Sequence, residues 1–369
     1  MRVLGFMTGT SLDAIDMAVI ETDGEEILGL GPAGEAPLGA DVRAVLEAAI
    51  GDALKLKAGD PTPPSFALAA QAMALAHIAA GEAFMRENGL LPGDVELIGL
   101  QGQTVLHAPP GPNRPRGRTI QLIDAHAVAE ALGAPTVYDL RQDDVAAGGQ
   151  GAPLAPVYHA ALVRYSALHT PMAVLNLGGV ANLTLIRSDG ELEAFDTGPG
   201  VGMIDRLVQD RTDGRCDEDG ALARAGEAHD RALAAYLGHP YFQLRGPRSL
   251  DRHDFSLDRV SPLSLEDAAA TLTAFAAEAV WRGVQTCSEK PLRLVATGGG
   301  RRNPALMEAI RVRVQAPVLT AEDVDWRGDS VEAEAFAFLA ARSMMGLPIS
   351  FPDTTGVPVP MTGGRIAMP

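Results

Sequence analysis

Two adjacent carboxylates beside a glycine-rich segment form the most chemically suggestive stretch of the 369-residue sequence. Asp143 and Asp144 follow Arg141, and three glycines fall within residues 148–151. Small residues let a backbone approach a ligand closely because no side chain intervenes. A carboxylate at the edge of such a loop can act as a base on something held there. Asp and Gly are also ordinary turn residues, so the local composition alone favours a surface turn.

Glycine-containing turns join pairs of predicted strands in both halves of the chain. In the first half, residues 3–6 and 17–21 predict strands around a turn rich in Gly, Thr and Ser at residues 7–16. In the second half, two predicted strands flank the turn at residues 178–181. Such turns offer backbone N–H and hydroxyl donors to an anion, although each alone is also an ordinary hairpin. Their repetition suggests duplicated lobes whose hairpins face a common ligand.

Two acidic residues occupy positions that suit either a site or a helix cap. Asp196 follows a predicted strand at residues 192–195 and precedes a glycine turn. Site residues are common there in α/β proteins, and so are residues that cap the next helix. Glu332 falls in the first turn of a predicted helix at residues 330–345, where an acid also favours the helix dipole. For both residues, a role at the start of a helix therefore remains an alternative to a role in a binding site.

A triple glycine follows the predicted strand at residues 292–296. Asn303 can cap a helix that begins at Pro304. A strand, a glycine turn and a helix N-terminus together can bind a phosphate or a nucleotide, although no P-loop pattern occurs in the chain. His107 and His159 also lie near glycine loops, where a structural role is favoured over a ligand role.

The elements that must position these residues alternate between strands and helices. Two further short strands are predicted at residues 97–100 and 119–122. The predicted helices cover residues 41–54, 65–88, 126–132, 153–165, 265–288 and 304–314, and an extended tail follows residue 347. This alternation indicates an α/β protein. The length exceeds what one hydrophobic core usually serves, so two lobes are expected.

The composition excludes several classes of protein. Hydrophobic residues make up 47% of the chain and charged residues 21%, as in soluble globular proteins. The formal net charge of -17 argues against broad binding to nucleic acid or anionic membranes, since both need a basic face. The only cysteines, Cys216 and Cys287, are too few for a thiolate zinc site or a disulfide framework. The N-terminal apolar run is too short for a signal peptide, and no apolar stretch of membrane-spanning length without charges or helix breakers is expected. The sequence therefore predicts a reduced, cytoplasmic protein.

Taken together, the separate motifs resemble the anhydro-N-acetylmuramic acid kinase family over nearly the whole chain. They occur in the order that is typical of this family. The segments that carry the resemblance are Gly9-Thr10-Ser11-Leu12-Asp13 with Ile15-Asp16, Gly102-Gln103-Thr104 with His107, Asp139-Leu140-Arg141, Asp144 to Leu154, Asn176 to Thr184, Asp196-Thr197-Gly198-Pro199-Gly200, Gly298-Gly299-Gly300 with Asn303, and Val331 to Ala337.

The resemblance implies an α/β, two-lobed actin-like ATPase fold of the sugar kinase, Hsp70 and actin type, with a central cleft. The first lobe is expected to comprise residues 1–140 with about 346–369, and the second residues 141–345. The family uses ATP and Mg²⁺ to open the 1,6-anhydro bridge of its sugar with water. It phosphorylates the released 6-oxygen and forms N-acetylmuramic acid 6-phosphate in peptidoglycan recycling. The expected partners are these small molecules and no nucleic acid or membrane, with a homodimer left open.

The resemblance also implies roles for individual residues. Asp144 matches the family's general base, and Asp13 and Asp196 are candidate magnesium ligands. The candidate nucleotide and phosphate contacts are Gly9, Thr10, Ser11, Leu12, Asp13, Ala14, Ile15, Asp16, Gly178, Gly179, Gly298 and Gly299. The candidate sugar contacts are Gln103, Thr104, Arg141, Gly149 and Glu332.

The sequence departs from the family pattern at several positions. Gln101 stands where His is usual, Val201 replaces an Asn, and Ala14 replaces a Gly. Residues 247–252, which include Arg248 and Leu250, replace a usual Lys-Ser-Thr-Gly-Arg. These differences bear on substrate recognition more than on the reaction class. Two alternatives follow: a kinase for another anhydrosugar such as levoglucosan, and an actin-like nucleotide-binding protein without sugar chemistry.

Overall fold

A computed structural model describes residues 1–9, 11–57, 60–111, 114, 116–251 and 254–369. The chain divides into two compact units. The first comprises Met1–Ala167 with Ser330–Pro369, and the second comprises Leu168–Asp329.

The first unit is built on a six-stranded sheet with helices packed against it. Its strands are β1 (Arg2–Thr8), β2 (Ala14–Thr22), β3 (Ile27–Pro37), β4 (Leu97–Leu100), β5 (Gln103–Ala108), β6 (Arg118–Leu122), β7 (Thr136–Tyr138) and β13 (Arg365–Ala367). Its helices are α1 (Ala40–Ala53), α2 (Pro64–Glu87), α3 (Ala125–Leu132), α4 (Gln142–Ala146), α5 (Pro156–Tyr165), α11 (Val331–Met344) and α12 (Pro352–Thr355). The sheet order is β13-β7-β4-β1-β2-β3, and β5 and β6 form a separate two-stranded sheet.

The second unit repeats this plan with five strands. Its elements are β8 (Met172–Leu177), β9 (Val180–Ile186), β10 (Leu192–Pro199), α6 (Gly202–Arg211), α7 (Ala221–Ala225), α8 (Asp230–Leu237), α9 (Leu265–Thr286), β11 (Leu294–Thr297), α10 (Pro304–Arg313) and β12 (Val318–Thr320). Short 3-10 turns occur at Glu218–Gly220, Pro240–Gln243, Leu257–Arg259, Gly299–Arg302 and Ala321–Val324. The sheet order is β10-β9-β8-β11-β12.

The two sheets share one topology. In each unit three antiparallel strands form a meander whose first strand is central. One further strand pairs with that first strand in parallel, β4 in the first unit and β11 in the second, and another pairs in parallel with this one, β7 and β12 respectively. The first sheet adds β13, which pairs antiparallel with β7. The predicted duplication, and with it the actin-like fold class, is therefore confirmed by strand order and direction.

Helix α11 lies directly on the first sheet because two strand glycines leave room for its backbone. A Cβ atom on Gly5 would overlap the carbonyl oxygen of Ala333, and one on Gly99 would overlap that of Phe336. The observed units consequently differ from the predicted lobe boundaries. Residues 141–167 and 330–345, which were assigned to the second lobe, belong to the first unit.

Helix α2 is long and apolar enough to cross a membrane by length and composition. It has 24 residues, with a mean hydropathy of 1.2 over its most apolar window, although every such window contains Gly81 and so does not contradict the expectation from sequence. Its side chains Phe66, Met73 and Phe84 are buried in the hydrophobic core of the first unit. This packing is that of a core helix, which passes the same test of length and composition.

Candidate active site

Asp144 is held in the first unit by donors to both oxygens of its carboxylate. It lies on the short helix α4 and is only 2% exposed. Its Oδ1 accepts a hydrogen bond from the backbone N–H of Gly151 at 2.6 Å, and its Oδ2 accepts one from the hydroxyl of Thr355. Two donors fix the carboxylate in one orientation, as a positioned base requires.

Burial makes Asp144 a stronger base than a surface aspartate. Desolvation raises its pKa above the ordinary value of 3.8. The hydrogen bond from Thr355, the N–H of Gly151 and the charge of Arg141 act in the opposite direction without cancelling the rise. A carboxylate with a raised pKa binds a proton more readily, and this favours general-base chemistry near neutral pH.

The glycines after Asp144 give its carboxylate room. A Cβ on Gly149 would overlap Oδ1 of Asp144, and it would lie 2.6 Å from Cγ1 of Val357. Gly151, which donates to the same Oδ1, has a φ of +70°, where a side chain is strained. The loop is thus shaped around the carboxylate. This packing gives a structural reason for a glycine at position 149, in addition to the predicted sugar contact.

A polar cluster on strand β5 and the preceding turn lies beside the Asp144 loop. Arg141 donates through Nη1 to the carbonyl of Gly151 at 2.7 Å. In the amide orientation that satisfies both groups, Oε1 of Gln101 accepts from Arg141 at 3.1 Å and from Thr104 at 3.3 Å. The unusual Gln101 therefore joins two predicted sugar contacts. Gln103, another predicted sugar contact, is fully buried, and its Oε1 has no hydrogen-bond partner within the described ranges.

His107 closes the same cluster as a neutral side chain. Its Nδ1 lies 3.1 Å from the hydroxyl of Thr119 on β6. Burial, followed by the charge of Arg141, lowers the pKa of His107 to about 3. His159 on α5 is also buried, and desolvation lowers its pKa to about 3. Both histidines are therefore uncharged at neutral pH, in keeping with the structural roles expected from sequence.

The turn between β1 and β2, together with the start of β2, contains most of the predicted nucleotide contacts. Ser11 donates to Oδ1 of Asp13 at 2.5 Å, and the N–H of Ala14 donates to the same oxygen at 3.0 Å. Arg43 on α1 anchors the turn by donating to the carbonyl of Leu12 at 3.0 Å. Asp13 remains exposed. Of the other predicted contacts, Gly9 lies in the turn, Ile15 and Asp16 lie on β2, and Thr10 lies outside the described residues.

Three glycine segments converge in the second unit. Gly178 and Gly179 form the two-residue turn between β8 and β9. A Cβ on Gly200, at the end of β10, would overlap the carbonyl oxygen of Gly178. A Cβ on Gly298 would overlap Oδ1 of Asn176, the residue two positions before that turn. Close backbone approach at these points brings together the segments that were predicted separately to bind phosphate and nucleotide.

A buried cation fixes the turn at Gly298. Arg301 donates to the carbonyl of Gly298 at 2.9 Å and forms ion pairs with Glu322 at 2.6 Å and Asp329 at 2.9 Å. Its side chain is only 3% exposed. Asn303 caps α10 through the N–H of Leu306, with Pro304 at the first helical position, as predicted. The triple-glycine turn is thus rigidly attached at both ends.

Asp196 does not end its strand, and it does not cap a helix. Strand β10 continues to Pro199, with an irregularity between Asp196 and Gly198. The N-cap of α6 is Val201, without a side-chain hydrogen bond, so the capping alternative was wrong. The carboxylate of Asp196 is 6% exposed, and its Oδ2 accepts from the N–H of Leu250 at 2.8 Å. This bond holds the segment around Leu250 against the edge of β10.

Glu332 lies in the first turn of α11, where the sequence placed it, and is half-buried. Two residues later, Glu334 is 1% exposed and accepts a hydrogen bond from the hydroxyl of Tyr158 on α5. Sequence reasoning missed this pair, and it missed Thr355. Their partners lie 176 and 211 residues away along the chain, so no local pattern could have revealed them.

Comparison with known proteins gives matches along the whole chain. The family model described as "Anhydro-N-acetylmuramic acid kinase" matches residues 1–368. A relative of that name from Phenylobacterium zucineum (strain HLK1) is 57% identical over 369 residues, covering 100% of both chains. One from Caulobacter vibrioides is 56% identical over 366 residues, covering 99% of this chain and 98% of its own.

Solved structures with similar folds are much more distant in sequence. An inorganic polyphosphate/ATP-glucomannokinase from Arthrobacter sp. strain KM is 14% identical with a TM-score of 0.39, covering 93% of this chain and 98% of its own. The activator of a 2-hydroxyisocaproyl-CoA dehydratase from Clostridium difficile, with bound ADPNP, is 13% identical with a TM-score of 0.45, covering 94% and 96%. The fold assignment rests on the repeated sheet topology, and the family assignment rests on sequence. The chain belongs to the anhydro-N-acetylmuramic acid kinase family.

Proposed function

We propose that this protein is an ATP-dependent anhydro-N-acetylmuramic acid kinase. It opens the 1,6-anhydro ring with water and transfers the γ-phosphoryl group of ATP to the released 6-oxygen. The products are N-acetylmuramic acid 6-phosphate and ADP, so the reaction serves the recycling of cell-wall fragments. A cytoplasmic location and a homodimer stay predictions from sequence.

The observation that carries this proposal is the buried carboxylate of Asp144. Water is a poor nucleophile toward an anomeric carbon, so it needs a base within hydrogen-bond reach. Asp144 is fixed by Gly151 and Thr355, and its pKa is raised by burial. A desolvated carboxylate held in one orientation has the properties that a general base toward water requires.

The bond changes of the reaction balance as follows. The water oxygen forms a bond to the anomeric carbon, and Asp144 takes a proton from that water. The bond between the anomeric carbon and the bridging 6-oxygen breaks, and the 6-oxygen forms a bond to the γ-phosphorus as the bond to ADP breaks. Phosphoryl transfer depends mainly on positioning and on donors around the phosphate charge.

We assign the sugar to the polar cluster beside Asp144 and the phosphates to the glycine turns. Gln103 supports the sugar assignment because its buried Oε1 lacks a partner within the described part of the chain, and an acceptor of this kind suits a hydroxyl or amide N–H. Thr104, Arg141 and Glu332 are proposed as further sugar contacts. The described residues of the turn between β1 and β2, and the turns at residues 178–179 and 298–299, can direct backbone N–H groups at phosphate oxygens.

Magnesium fits Asp13 better than Asp196. Within the described ranges no group of three or more metal-ligating side chains occurs. Mg²⁺ commonly takes one or two carboxylates and completes its shell with water and substrate phosphates. The exposed Asp13 suits this arrangement, whereas Asp196 is buried and engaged with Leu250. When bound, the ion would neutralise charge on the ATP phosphates.

The test is the position of oxygen from labelled water in the product. The protein is incubated with ATP, magnesium and the anhydrosugar in ¹⁸O water, and the early product is analysed by mass spectrometry and NMR. The label should appear only at the anomeric hydroxyl, and the nascent anomer should be inverted. Early label in the phosphate ester would mean that water attacks elsewhere and would leave Asp144 without a reaction to perform.

A substrate control accompanies this test. Levoglucosan contains the same anhydro bridge without the acetamido and lactyl groups, so it should be turned over far more slowly. Comparable turnover of both sugars would show a kinase of broader anhydrosugar specificity. Binding of ATP without product from either sugar would contradict the proposed reaction.

A further inference from the structure

The second unit contains a cavity of about 230 Å³ that none of the proposed catalytic residues lines. It lies between the last turns of α9 and the segment that follows the 3-10 turn at Pro240–Gln243. Three arginines and two aromatic residues dominate its wall. We call this cavity the arginine pocket and define it by Phe242, Arg245, Arg248, Trp281 and Arg282.

Arg248 supplies a buried positive charge to the pocket. It is 7% exposed, and its guanidinium carbon lies 4.0 Å from the ring centroid of Phe195. Its Nη1 donates to the carbonyl of Gly246 at 3.0 Å. Asp196 and Tyr241 interact favourably with this charge, whereas burial opposes it. A guanidinium remains protonated under such conditions, so the pocket keeps a permanent cation.

The other two arginines add charge that the described residues only partly neutralise. Arg245 is exposed, and its one recorded hydrogen bond is a long one of 3.4 Å to the carbonyl of Leu244. It forms no ion pair within the ranges that the structure describes. Nε of Arg282 lies 3.4 Å from Oε1 of Glu278, but the same carboxylate also forms an ion pair with Nε of Arg313 through Oε2 at 3.4 Å.

Counting the acidic neighbours shows the imbalance. Three arginines face the pocket, and within the described residues the carboxylates found in contact or charge interaction with them are Asp196, which also accepts from Leu250, and the shared Glu278. This excess occurs in a chain whose formal net charge is -17. A local concentration of guanidinium groups against the overall charge is expected where an anion binds.

The chemistry of the wall indicates the class of anion. Guanidinium groups match the oxygens of phosphate in paired hydrogen bonds. Two or three of them suit a dianion better than a monoanion because each can pair with a separate oxygen. Phe242 and Trp281 supply an apolar surface for the rest of the molecule. We infer that the arginine pocket, whose lining includes none of the proposed ATP and sugar contacts, binds a small organic phosphomonoester.

Binding there should stabilise the second unit. The segment that bears Arg245 and Arg248 is tied to β10 through Asp196, whose backbone N–H donates to the carbonyl of Arg248 at 2.9 Å. A ligand that bridges this segment to Arg282 on α9 adds a further connection between them. Because only the folded protein offers the pocket, the thermal midpoint rises with the ligand concentration relative to its Kd.

The experiment is calorimetric titration of the full chain with glucose 6-phosphate, in the absence of ATP and anhydrosugar. Inorganic phosphate, glucose and glucuronate serve as companion probes. They separate the contribution of the phosphate from those of the ring and of a single carboxylate. We expect binding of glucose 6-phosphate at one site, weaker binding of inorganic phosphate and glucuronate, and none of glucose. Affinity should fall with rising ionic strength, since exposed charges contribute.

Variants assign the binding to this pocket. Arg245→Gln and Arg282→Gln should each weaken glucose 6-phosphate binding about tenfold, the scale of one lost charge-assisted hydrogen bond. Arg215→Gln removes an exposed arginine elsewhere in the same unit and should leave the affinity unchanged. Saturating anhydrosugar should not displace glucose 6-phosphate, which separates this site from the proposed sugar site. The proposal is overturned if millimolar glucose 6-phosphate does not bind, or if Arg215→Gln weakens binding as much as the pocket variants do.

Discussion

Two buried aspartates, one in each unit, show how the same side chain can serve different purposes. Asp144 is 2% exposed and Asp196 is 6% exposed, so burial alone does not distinguish them. Asp144 is oriented by Gly151 and Thr355 beside a loop whose glycines leave space around it. Asp196 instead binds the N–H of Leu250 and interacts with the charge of Arg248, which is how a structural carboxylate is used.

The comparison teaches that partners, more than burial, indicate function. In the part of the chain that the structure describes, Asp144 is held by uncharged donors and forms no ion pair, and burial raises its pKa, so the carboxylate can accept a proton. Asp196 lies within a set of contacts that fixes one segment to the edge of β10. The same substitution, Asp to Asn, should therefore affect turnover at one position and stability at the other.

The largest effect is expected for Asp144→Asn. Turnover should fall at least about a hundredfold, the low end for losing a general base. The fold should persist, because Asn can still accept from Gly151. The raised pKa of Asp144 means that its contribution to stability is present below the unfolded pKa and is lost as pH rises through the folded pKa. Near neutral pH the variant should therefore be at least as stable as the wild type.

Asp143→Asn is the matched control for that variant. Asp143 precedes Asp144 on the same helix, but its carboxylate pairs with Arg365 at 2.9 Å in a partly exposed ion pair. Such pairs contribute little, so turnover should stay close to that of the wild type. Turnover of both variants is measured by steady-state kinetics, and their stability is measured by thermal unfolding. Equal losses of turnover would remove the special role assigned to Asp144.

Gly149→Ala should produce the next largest effect. The added methyl group overlaps Oδ1 of Asp144, so either the carboxylate or the loop must move. A displacement of about 1 Å at a catalytic group can cost up to about a hundredfold in rate, and we expect a loss of about tenfold in kcat. Gly51→Ala, where φ is likewise not positive and nothing lies within 4 Å of the added atom, is the matched control. Wild-type kcat in Gly149→Ala would mean that the loop adjusts freely.

Asp196→Asn should reduce stability more than turnover. The change removes the charge that faces Arg248 and weakens the bond from Leu250, so unfolding should become easier by about 1.5–3 kcal/mol. Urea unfolding measures this, and kcat is determined on the folded fraction. If stability were unchanged while the magnesium requirement rose sharply, Asp196 would be a metal ligand after all.

Much of the fold could be predicted because its signals are local. Apolar strands around glycine turns indicated both hairpins, and the cap at Asn303 was read from two adjacent residues. The lobe boundaries could not be found this way, because α11 joins the first unit through backbone packing at Gly5 and Gly99. The extent of β10 was also missed, since its last residues contain Gly and Pro, which favour turns.

The candidate site likewise combines contacts that the sequence could predict with contacts that it could not. Asp144 and its glycine loop are contiguous in sequence, so their association was predictable. Thr355 donates to Asp144 from the C-terminal segment, which sequence reasoning described only as an extended tail. The structure instead places Thr355 at the end of the short helix α12. Contacts of this kind depend on tertiary packing, and the periodicity of either segment contains no sign of them.

Thr355→Val gives the smallest effect and tests how the base is adjusted. The hydroxyl of Thr355 donates to Oδ2 of Asp144 and so lowers the pKa of that carboxyl. Valine has the same shape without the donor, so the pKa of Asp144 should rise further. A hydrogen bond to a charged group is worth about 1.5 kcal/mol, which corresponds to about one pKa unit. Because a base must be deprotonated to work, the acidic limb of kcat/KM should move about one unit toward higher pH. Well above that limb the rate should approach that of the wild type.

Thr355→Ser keeps the donor and should restore the wild-type limb, which separates the lost hydrogen bond from any change in packing. An acidic limb that stays in place in Thr355→Val would mean that a group other than Asp144 sets the pH dependence.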